Sequence, residues 1–266
     1  MISSSQLILT ALPGIPLIKE GDDLPGLIRD GLARASIDLQ DNDLIAVAQK
    51  IISKAEGRLI DLRSVRPSSK AEQIAEETEK DPRLVELILK ESSRILRLRK
   101  KLIIVEHRLG FVCANAGIDL SNVRELDESN PLAGEHPEFV LLLPEDPDKS
   151  AHTLRDGIRR FAQVNVGVLI IDSHGRPFRE GSIGVAIGIA GLPGLLDLRG
   201  GLDLFGKTLQ TTQVGIADEL ASAASVLMGQ AAEKQPVVHI RGFPHALRES
   251  SIKELIRIKE RDLFRQ

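Results

Sequence analysis

The sequence predicts an α+β fold in which mixed sheets are flanked by helices. The chain has 266 residues, of which 42% are hydrophobic, so it can bury a substantial core. Short apolar runs typical of buried strands are mixed irregularly with helical patterns, without the steady alternation of a doubly wound sheet. No internal repeat of fixed period is visible. Together these three observations favour α+β over the other fold classes.

The first fifty residues predict two strands and one helix. Residues 7–12 form the first strand, and a turn at PGIP leads to a helix from Asp23 to about Ala35 with acidic residues in its first turn. Residues 43–49 form a second short buried strand, and the segment KIISKAEGR follows it directly. Lys54 is therefore expected at the end of a buried strand.

The middle of the chain predicts two helices and a hairpin. The first helix covers about residues 69–79, and a second opens at Asp81 and Pro82 and runs to about Leu96, because Asp caps helices and Pro suits their first turn. Two apolar runs within residues 102–114 predict a hairpin. Residues 126–138 are polar, with two Pro and one Gly, which indicates a surface excursion.

The last part of the chain again mixes strands and helices. Strands are predicted at residues 139–144, 166–173, 184–191 and 236–242, and helices at about 149–161 and 215–229. A charged C-terminal helix is expected from about Ser250. Its apolar stripe indicates packing against the core rather than membrane or partner recognition, and comprises Ile252, Leu255, Ile256 and Leu263.

Composition excludes several classes of partner. The chain has 35 basic and 38 acidic residues and lacks Trp and Tyr, so it offers neither a strongly basic surface nor the stacking platforms of single-stranded nucleic-acid binders. Its apolar runs are too short to span a bilayer. The lone Cys113 excludes an intrachain disulfide and fits a reducing compartment, with a buried apolar filler as its expected role. We expect a cytoplasmic protein without a nucleic-acid or membrane partner.

One motif matches a nucleotide-binding pattern in spacing alone. Gly201, Gly206, Lys207 and Thr208 satisfy the Walker A spacing, which would make the chain a P-loop NTPase or kinase. A P-loop also needs a strand before the loop and a helix that begins at the Lys. Here the preceding segment is rich in Gly and Pro, and the following LQTTQV starts a helix poorly. We interpret the match as accidental.

Three residues are candidates for metal or phosphate chemistry. Asp119 lies in the loop NAGIDLSN, and Asp172 ends a buried strand beside Ser173, so both can offer the hard oxygen ligands that Mg²⁺ and Mn²⁺ take. The alternative for either Asp is a turn or a helix cap. Lys54 could meet a phosphate as a point charge or simply be solvated. The histidines show no ligand spacing, and His239, inside an apolar strand, is predicted to be a satisfied core residue.

Longer motifs identify a family. In order, the chain contains GIPLIKEGDDL (14–24), ISKAEGR (52–58), NAGIDLSNV (115–123), LLPEDPDKSA (142–151), DSHGRPFREGSIGVAIGIAG (172–191), DLFGKTL, ADELASAASVLMGQ and VVHIRG. This series closely resembles the coenzyme F-420:L-glutamate ligases and covers nearly the whole chain. The resemblance implies a family-specific α+β fold assembled as an intertwined homodimer. It implies one ligase domain over residues 1–266, without the flavin-binding reductase-like domain that some relatives carry.

The resemblance also implies the functional residues. Divalent metal would be held by Asp119, Asp172, Ser173 and Gln230, and Lys54, Asp119 and Asp172 would be catalytic. Ser173 stands where Thr is familiar in the family, and Gln230 replaces an acid that some members have. Lys207 falls in a D-x-x-G-basic segment that the family does not use as a Walker loop. The implied GTP site comprises Pro13, Gly14, Ile15, Pro16, Gln49, Lys50, Lys54, Asn122, Met228, Gly229, Gln230, Ala231, Ala232, Glu233, Lys234 and Gln235.

The activity implied by the resemblance is amide synthesis. GTP would phosphorylate the carboxylate of a deazaflavin coenzyme F-420 precursor, and the amine of L-glutamate would attack the acyl phosphate, with further γ-linked glutamates added later. The implied ions are Mg²⁺ or Mn²⁺ and a monovalent cation such as K⁺. Two other hypotheses stand beside this one: the P-loop NTPase or kinase centred on Lys207, and a non-catalytic module that binds the deazaflavin.

Overall fold

The computed structural model describes residues 6–123 and 138–262. In chain order the strands are β1 (Ile8–Ala11), β2 (Leu44–Ala48), β3 (Leu59–Asp61), β4 (Ser92–Arg99), β5 (Leu102–His107), β6 (Val112–Ala114), β7 (Phe139–Leu141), β8 (Gly167–Arg176), β9 (Arg179–Ala190), β10 (Leu196–Asp197), β11 (Gln213–Val214) and β12 (Val237–Arg241). The helices are α1 (Leu24–Arg34), α2 (Gln49–Ala55), α3 (Ser69–Thr78), α4 (Pro82–Lys90), α5 (Pro147–Ala162) and α6 (Ile216–Met228). This mixture of sheets and flanking helices confirms the predicted α+β class.

A five-stranded mixed sheet in the order β1-β12-β2-β8-β9 forms the centre of the protein. β2 and β8 run parallel, and the other neighbouring pairs are antiparallel. Both faces of the sheet are buried, which explains why β2 is apolar throughout. Ile45 and Val47 face a core formed with α1, α2 and α5, whereas Leu44 and Ala46 face a core formed with α6.

A second unit is inserted between β2 and β8. It contains α3, α4, the antiparallel sheet β4-β5-β6 and the antiparallel pair β3-β7. Its own hydrophobic core includes Leu62, Val85, Ile88 and Ile103, all fully buried. The predicted hairpin is confirmed, since Val105 of β5 pairs with Cys113 of β6. The inserted unit therefore has a core of its own and is connected in sequence to the parallel strands β2 and β8 of the main sheet.

One predicted helix and the predicted position of Lys54 differ in the structure. The helix that opens at Asp81 ends at Lys90 instead of running to about Leu96, and β4 begins at Ser92. Ser92 and Ser93 are weak helix formers, and pairing with β5 supplies the hydrogen bonds that a longer helix would have made. Lys54 lies in α2 and not at a strand end, because the chain enters a helix directly after Ala48.

The charged C-terminal helix is also absent from the described residues. Only short 3-10 helices occur there, at Ile252–Glu254 and Lys259–Arg261. Asp148 of α5 accepts hydrogen bonds from the Ile252 amide and the Ser251 hydroxyl, and these contacts tie the segment to the core in an irregular conformation. Leu263 lies outside the described residues.

Two further predictions concern the segment 126–138 and the expected lack of membrane-spanning segments. Of the predicted surface excursion at 126–138, only Glu138 is among the described residues. Within the described ranges, the structure contains no helix that is both long and apolar enough to cross a membrane.

Candidate functional site

A cleft of about 450 Å³ opens at the carboxyl end of β2, beside residues 171–173 in the middle of β8. Four segments surround it: the loop after β1, the helix α2, the segment at Asn122 and the loop after α6. Its lining residues are Ile15, Pro16, Leu17, Ile18, Ala48, Gln49, Lys50, Ile51, Lys54, Asn122, Ile171, Asp172, Ser173, Ser225 and 228–236. The cleft thus mixes apolar walls with a few polar groups, which is typical of small-molecule sites.

Most of the predicted nucleotide and metal residues meet in this cleft. Those that line it are Ile15, Pro16, Gln49, Lys50, Lys54, Asn122, Asp172, Ser173, Met228, Gly229, Gln230, Ala231, Ala232, Glu233, Lys234 and Gln235. Pro13 and Gly14 lie on the same loop as Ile15 but do not line the cleft. Asp119 is not a lining residue either, although its carboxylate contacts the side chains of Gln49 and Lys50.

The loop after β1 is fixed by a glycine and an arginine. Gly14 has a φ of 71°, a left-handed conformation that favours glycine. Its carbonyl accepts a hydrogen bond of 3.2 Å from the Arg34 guanidinium, in the last turn of α1. This contact holds the next residues, Ile15 and Pro16, at the cleft wall.

Helix α2 presents two ammonium groups to the cleft. Lys50 and Lys54 are four residues apart, so they project from the same side of the helix. The Lys50 ammonium lies 2.6 Å from Asp119 Oδ1 and donates to the Ser121 carbonyl at 3.1 Å. The Lys54 ammonium donates to the Asn122 carbonyl at 2.8 Å. Both cations are therefore bound to the segment 119–122, on the wall opposite α2.

Asp119 lies in surroundings that oppose the negative charge of its carboxylate. Its backbone is fixed by two hydrogen bonds to Leu141, and its side chain is 23% exposed. Burial raises the pKa of Asp119, and the negative charge of Asp172 raises it further, while Lys50 and Gln49 lower it. The surroundings of Asp119 therefore raise the pKa of its carboxyl group overall.

The two-residue period of β8 separates the candidate ligands. Val168 and Ile170 face the α1–α5 side of the sheet, so Asp172 and His174 continue on that side. Leu169 and Ile171 face α6, and Ser173 follows them. Accordingly, the Ser173 hydroxyl donates to Gln230 Oε1 at 2.7 Å, just beyond α6. The His174 Nε2 lies 2.9 Å from Asp172 Oδ2.

The loop after α6 closes one side of the cleft. Gly229 combines a φ of 71° with a ψ of −176°, a region that is essentially restricted to glycine, and a Cβ there would overlap the Glu233 carboxyl. The Glu233 carboxylate accepts from the Ala231 amide at 2.8 Å. Asn122 donates to the Ala231 carbonyl at 2.9 Å, which ties the loop to the opposite wall.

The residues at this site fit a divalent metal that shares its coordination with a substrate. Within the described ranges, no group of three or more His, Cys, Asp or Glu side chains is arranged to hold a metal. Asp119, Asp172, Ser173 and Gln230 nevertheless offer hard oxygen atoms, and Mg²⁺ commonly uses one or two carboxylates together with phosphate oxygens.

The Walker-like segment lies apart from the cleft in an exposed turn. Asp203 accepts hydrogen bonds from the backbone amides of Phe205 and Lys207, and Leu202 bridges to Thr208. Leu204 is 98% exposed. No helix begins at Lys207, since α6 starts at Ile216. The structural context of a P-loop is therefore missing, as the sequence predicted.

The residues that line the cleft and were not predicted from the sequence are Leu17, Ile18, Ala48, Ile51, Ile171, Ser225 and Pro236. His174, which contacts Asp172 but does not line the cleft, was also not predicted. It has no metal-ligand spacing, but its position two residues after Asp172 on a strand could have indicated that the two side chains share a face. The prediction for Cys113 is confirmed, because it is 7% exposed and burial raises the pKa of its thiol to about 12. His239 is buried as predicted, with Nε2 2.9 Å from Asp43 Oδ2.

Comparison with known proteins identifies the family. The profile of the F-420-0:gamma-glutamyl ligase family matches residues 14–242. A relative named coenzyme F-420:L-glutamate ligase, from Methanothermobacter thermautotrophicus, is 46% identical over 259 residues, which cover 97% of this chain and 98% of the relative. Relatives of the same name from Methanocaldococcus jannaschii and Archaeoglobus fulgidus are 43% and 40% identical, over 94% and 95% of this chain and 94% of each relative. The chain therefore belongs to the F-420-0:gamma-glutamyl ligase family and is an enzyme of the ligase class.

Proposed function

We propose that the protein is a GTP-dependent ligase that joins L-glutamate to the carboxylate of a deazaflavin coenzyme F-420 precursor through an acyl phosphate. The observation that carries the proposal is the convergence of Lys50, Lys54 and Asp172 at one cleft, with Asp119 behind the wall in contact with Lys50. Two ammonium groups beside two carboxylates suit a nucleotide whose phosphates bind together with metal. The names of the relatives support glutamate and coenzyme F-420 as the co-substrates.

The reaction requires a phosphoryl transfer and then an acyl transfer. A carboxylate oxygen of the precursor takes the terminal phosphoryl group of GTP, and GDP leaves. The glutamate amine then attacks the carbonyl carbon, the bond to the phosphate oxygen breaks, and the amine loses a proton. In this proposal Lys50 and Lys54 would hold phosphate oxygens in line, which is the main contribution that a protein makes to phosphoryl transfer.

We infer two cation positions, because successive side chains of β8 lie on opposite sides of the sheet. Asp119 and Asp172 would hold one ion, and Ser173 and Gln230, on the other side of the strand, would hold the second. Bound there, Mg²⁺ or Mn²⁺ would neutralise the charge of the phosphates during transfer. The loop from Met228 to Gln235 would cover the nucleotide and limit the access of water.

One incubation tests the proposal. Purified protein is mixed with GTP, Mn²⁺, glutamate and unglutamylated coenzyme, in K⁺ or in Na⁺ buffer, and product masses are read together with GDP and phosphate. We expect a mass gain of one or more glutamates that depends on all four components. Unchanged coenzyme together with GTP turnover would indicate an NTPase. Binding of the coenzyme without either change would indicate a non-catalytic module.

We also propose that the protein works as a homodimer. Large apolar side chains project from two ribbons: Phe178, at the β8–β9 turn, is 94% exposed, and Phe205 is 94% exposed in the segment between β10 and β11. Phe205 lies beside the exposed Leu202 and Leu204, and contiguous exposed apolar patches are typical of protein–protein interfaces. Light scattering coupled to gel filtration should give twice the mass of the chain, and Phe178→Ser with Phe205→Ser should lower it.

A further inference from the structure

The carboxylate of Asp172 has one engaged oxygen and one open oxygen. Its Oδ2 lies 2.9 Å from His174 Nε2, and both side chains are largely buried, with exposures of 11% and 14%. A carboxylate can only accept, so the imidazole nitrogen is the donor. Among the described residues, Oδ1 has no hydrogen-bond partner. The contact therefore fixes which oxygen of Asp172 is presented to the cleft.

Asp119 differs from Asp172 in this respect. Both of its oxygens are engaged, one by Lys50 and the other by Gln49. Asp172 consequently offers the oxygen that a cation can reach without first displacing another group. The orientation of the Asp172 carboxylate therefore matters more for cation binding than the orientation of the Asp119 carboxylate.

The imidazole of His174 is itself held by aromatic packing. The Phe111 ring, from the turn between β5 and β6, lies 5.3 Å from the His174 ring. On its other side Phe111 stacks on His107 at 5.2 Å with an interplanar angle of 7°. The His107 side chain is fully buried, and its Nδ1 accepts from the Leu109 amide at 3.0 Å. The inserted unit thus limits the rotation of His174 about its own side-chain bonds.

We propose that His174 is a positioning residue, which fixes the Asp172 carboxylate so that Oδ1 faces the cation and phosphate site. The inference rests on the proposed function, since it takes Asp172 as a metal ligand. Groups that orient a ligating carboxylate commonly change metal affinity by about 10- to 100-fold when they are removed. His174 itself does not touch the substrates in this role.

Manganese binding provides the test. The variant His174→Phe keeps a ring against Phe111 but removes the donor, whereas His174→Gln keeps an N–H at similar reach. Free Mn²⁺ is measured by electron paramagnetic resonance with GDP present, and the Mn²⁺ dependence of kcat and of the KM for GTP is measured in parallel. We expect His174→Phe to bind Mn²⁺ about 10- to 100-fold more weakly. Its kcat should return to within a few-fold of the parent at saturating Mn²⁺, and His174→Gln should stay close to the parent.

A second buried pair supplies a matched control. His239 Nε2 also lies 2.9 Å from an aspartate, Asp43, but at the opposite end of the parallel strands β2 and β8. His239→Phe should lower the melting temperature and leave Mn²⁺ affinity unchanged. If His174→Phe does not fold, His174→Leu replaces it in the same measurements. Folded variants without the donor that bind Mn²⁺ like the parent, or that lose kcat at unchanged Mn²⁺ affinity, overturn the inference.

The variant Asp172→Asn separates failure of the inference from failure of the proposed function. If Asp172→Asn weakens Mn²⁺ binding and His174→Phe does not, Asp172 is a ligand and only the positioning role is wrong. If neither substitution changes Mn²⁺ binding, or if the parent binds no Mn²⁺, the metal site of the proposed function is wrong, and the inference fails with it.

Discussion

The ammonium of Lys50 lies 2.6 Å from Asp119 Oδ1 and, under the proposed function, would compete with a metal ion for this carboxylate. Gln49 donates to the other oxygen. A cation can occupy Asp119 only if Lys50 moves away, and the phosphates of a nucleotide would give it a new partner. Metal and nucleotide binding should therefore be coupled, because each one favours the same displacement of Lys50.

Replacing Lys50 by Met tests this coupling. We expect Lys50→Met to bind Mn²⁺ more tightly than the parent in the absence of nucleotide, because the competing ammonium is gone. The KM for GTP should rise by about 10- to 100-fold, the range for a charged hydrogen bond of about 1.5–3 kcal/mol. Lys90→Met, on an exposed lysine of the inserted unit, is the control. Weaker Mn²⁺ binding in Lys50→Met without nucleotide would contradict the exchange.

The aspartates themselves give a second prediction. Asp119→Asn and Asp172→Asn should each lower kcat/KM roughly 10²-fold or more, which corresponds to a loss of several kcal/mol of transition-state stabilisation. High Mn²⁺ should restore part of the activity. The melting temperature without metal should hold or rise, since burial opposes the charge of Asp119. If both variants turn over substrates at the parent rate in ordinary metal, the active centre lies elsewhere.

Lys207 gives a prediction of no effect. Its backbone amide, not its side chain, contacts Asp203, and the side chain lies in an exposed turn away from the cleft. Lys207→Ala should keep activity within about three-fold, whereas a P-loop lysine that contacts phosphates would cost roughly 10³-fold, or about 4 kcal/mol. Lys54→Ala, measured beside it, should show the larger loss.

The pH dependence of stability follows from two buried carboxylates. Burial opposes the ionisation of Asp43, but hydrogen bonds from His239 and Arg241 outweigh it and lower its pKa from 3.8 to about 2. Burial likewise opposes the charge of Glu91, and His107, Arg108 and Arg58 lower its pKa from 4.5 to about 2. Each carboxylate thus stabilises the protein above the unfolded pKa, by on the order of 2–3 kcal/mol, and this stability is lost as pH falls towards 2.

Urea unfolding from pH 6 to pH 2 measures this effect. Asp43→Asn and Glu91→Gln should each flatten the fall in unfolding free energy over that range. The pKa of Asp197 is also lowered to about 2, mainly by Arg199, but the pair is exposed, so Asp197→Asn should leave the profile almost unchanged. Equal flattening by all three variants would show that burial does not decide the contribution.

The structure brings most of the predicted site residues to one cleft, whereas two of the predicted elements differ from it. Asp119, Asp172 and Lys54 were predicted from loop and strand-end chemistry together with long motifs, but Lys54 lies in α2, and Asp172 lies within β8, which continues to Arg176. The fold nevertheless brings their segments together. The predictions for the end of α4 and for the C-terminal segment were wrong, because residues distant in sequence determine the conformation of both segments. β5 pairs with Ser92, and Asp148 accepts a hydrogen bond from the Ile252 amide. His174 was missed because its role depends on Phe111, a neighbour only in space.

The parallel pairing of β2 with β8 has a consequence for folding kinetics. Leu44 pairs with Gly167, and the whole inserted unit lies between them in sequence. Closing so long a loop is slow, because its entropy must be overcome before the contacts form. The same pairing sets Ala48, just before α2, beside Ile171, just before Asp172, so the cleft is complete only when this step has occurred. During refolding, ligase activity should return after the helical signal, and its recovery should report the last stage of folding.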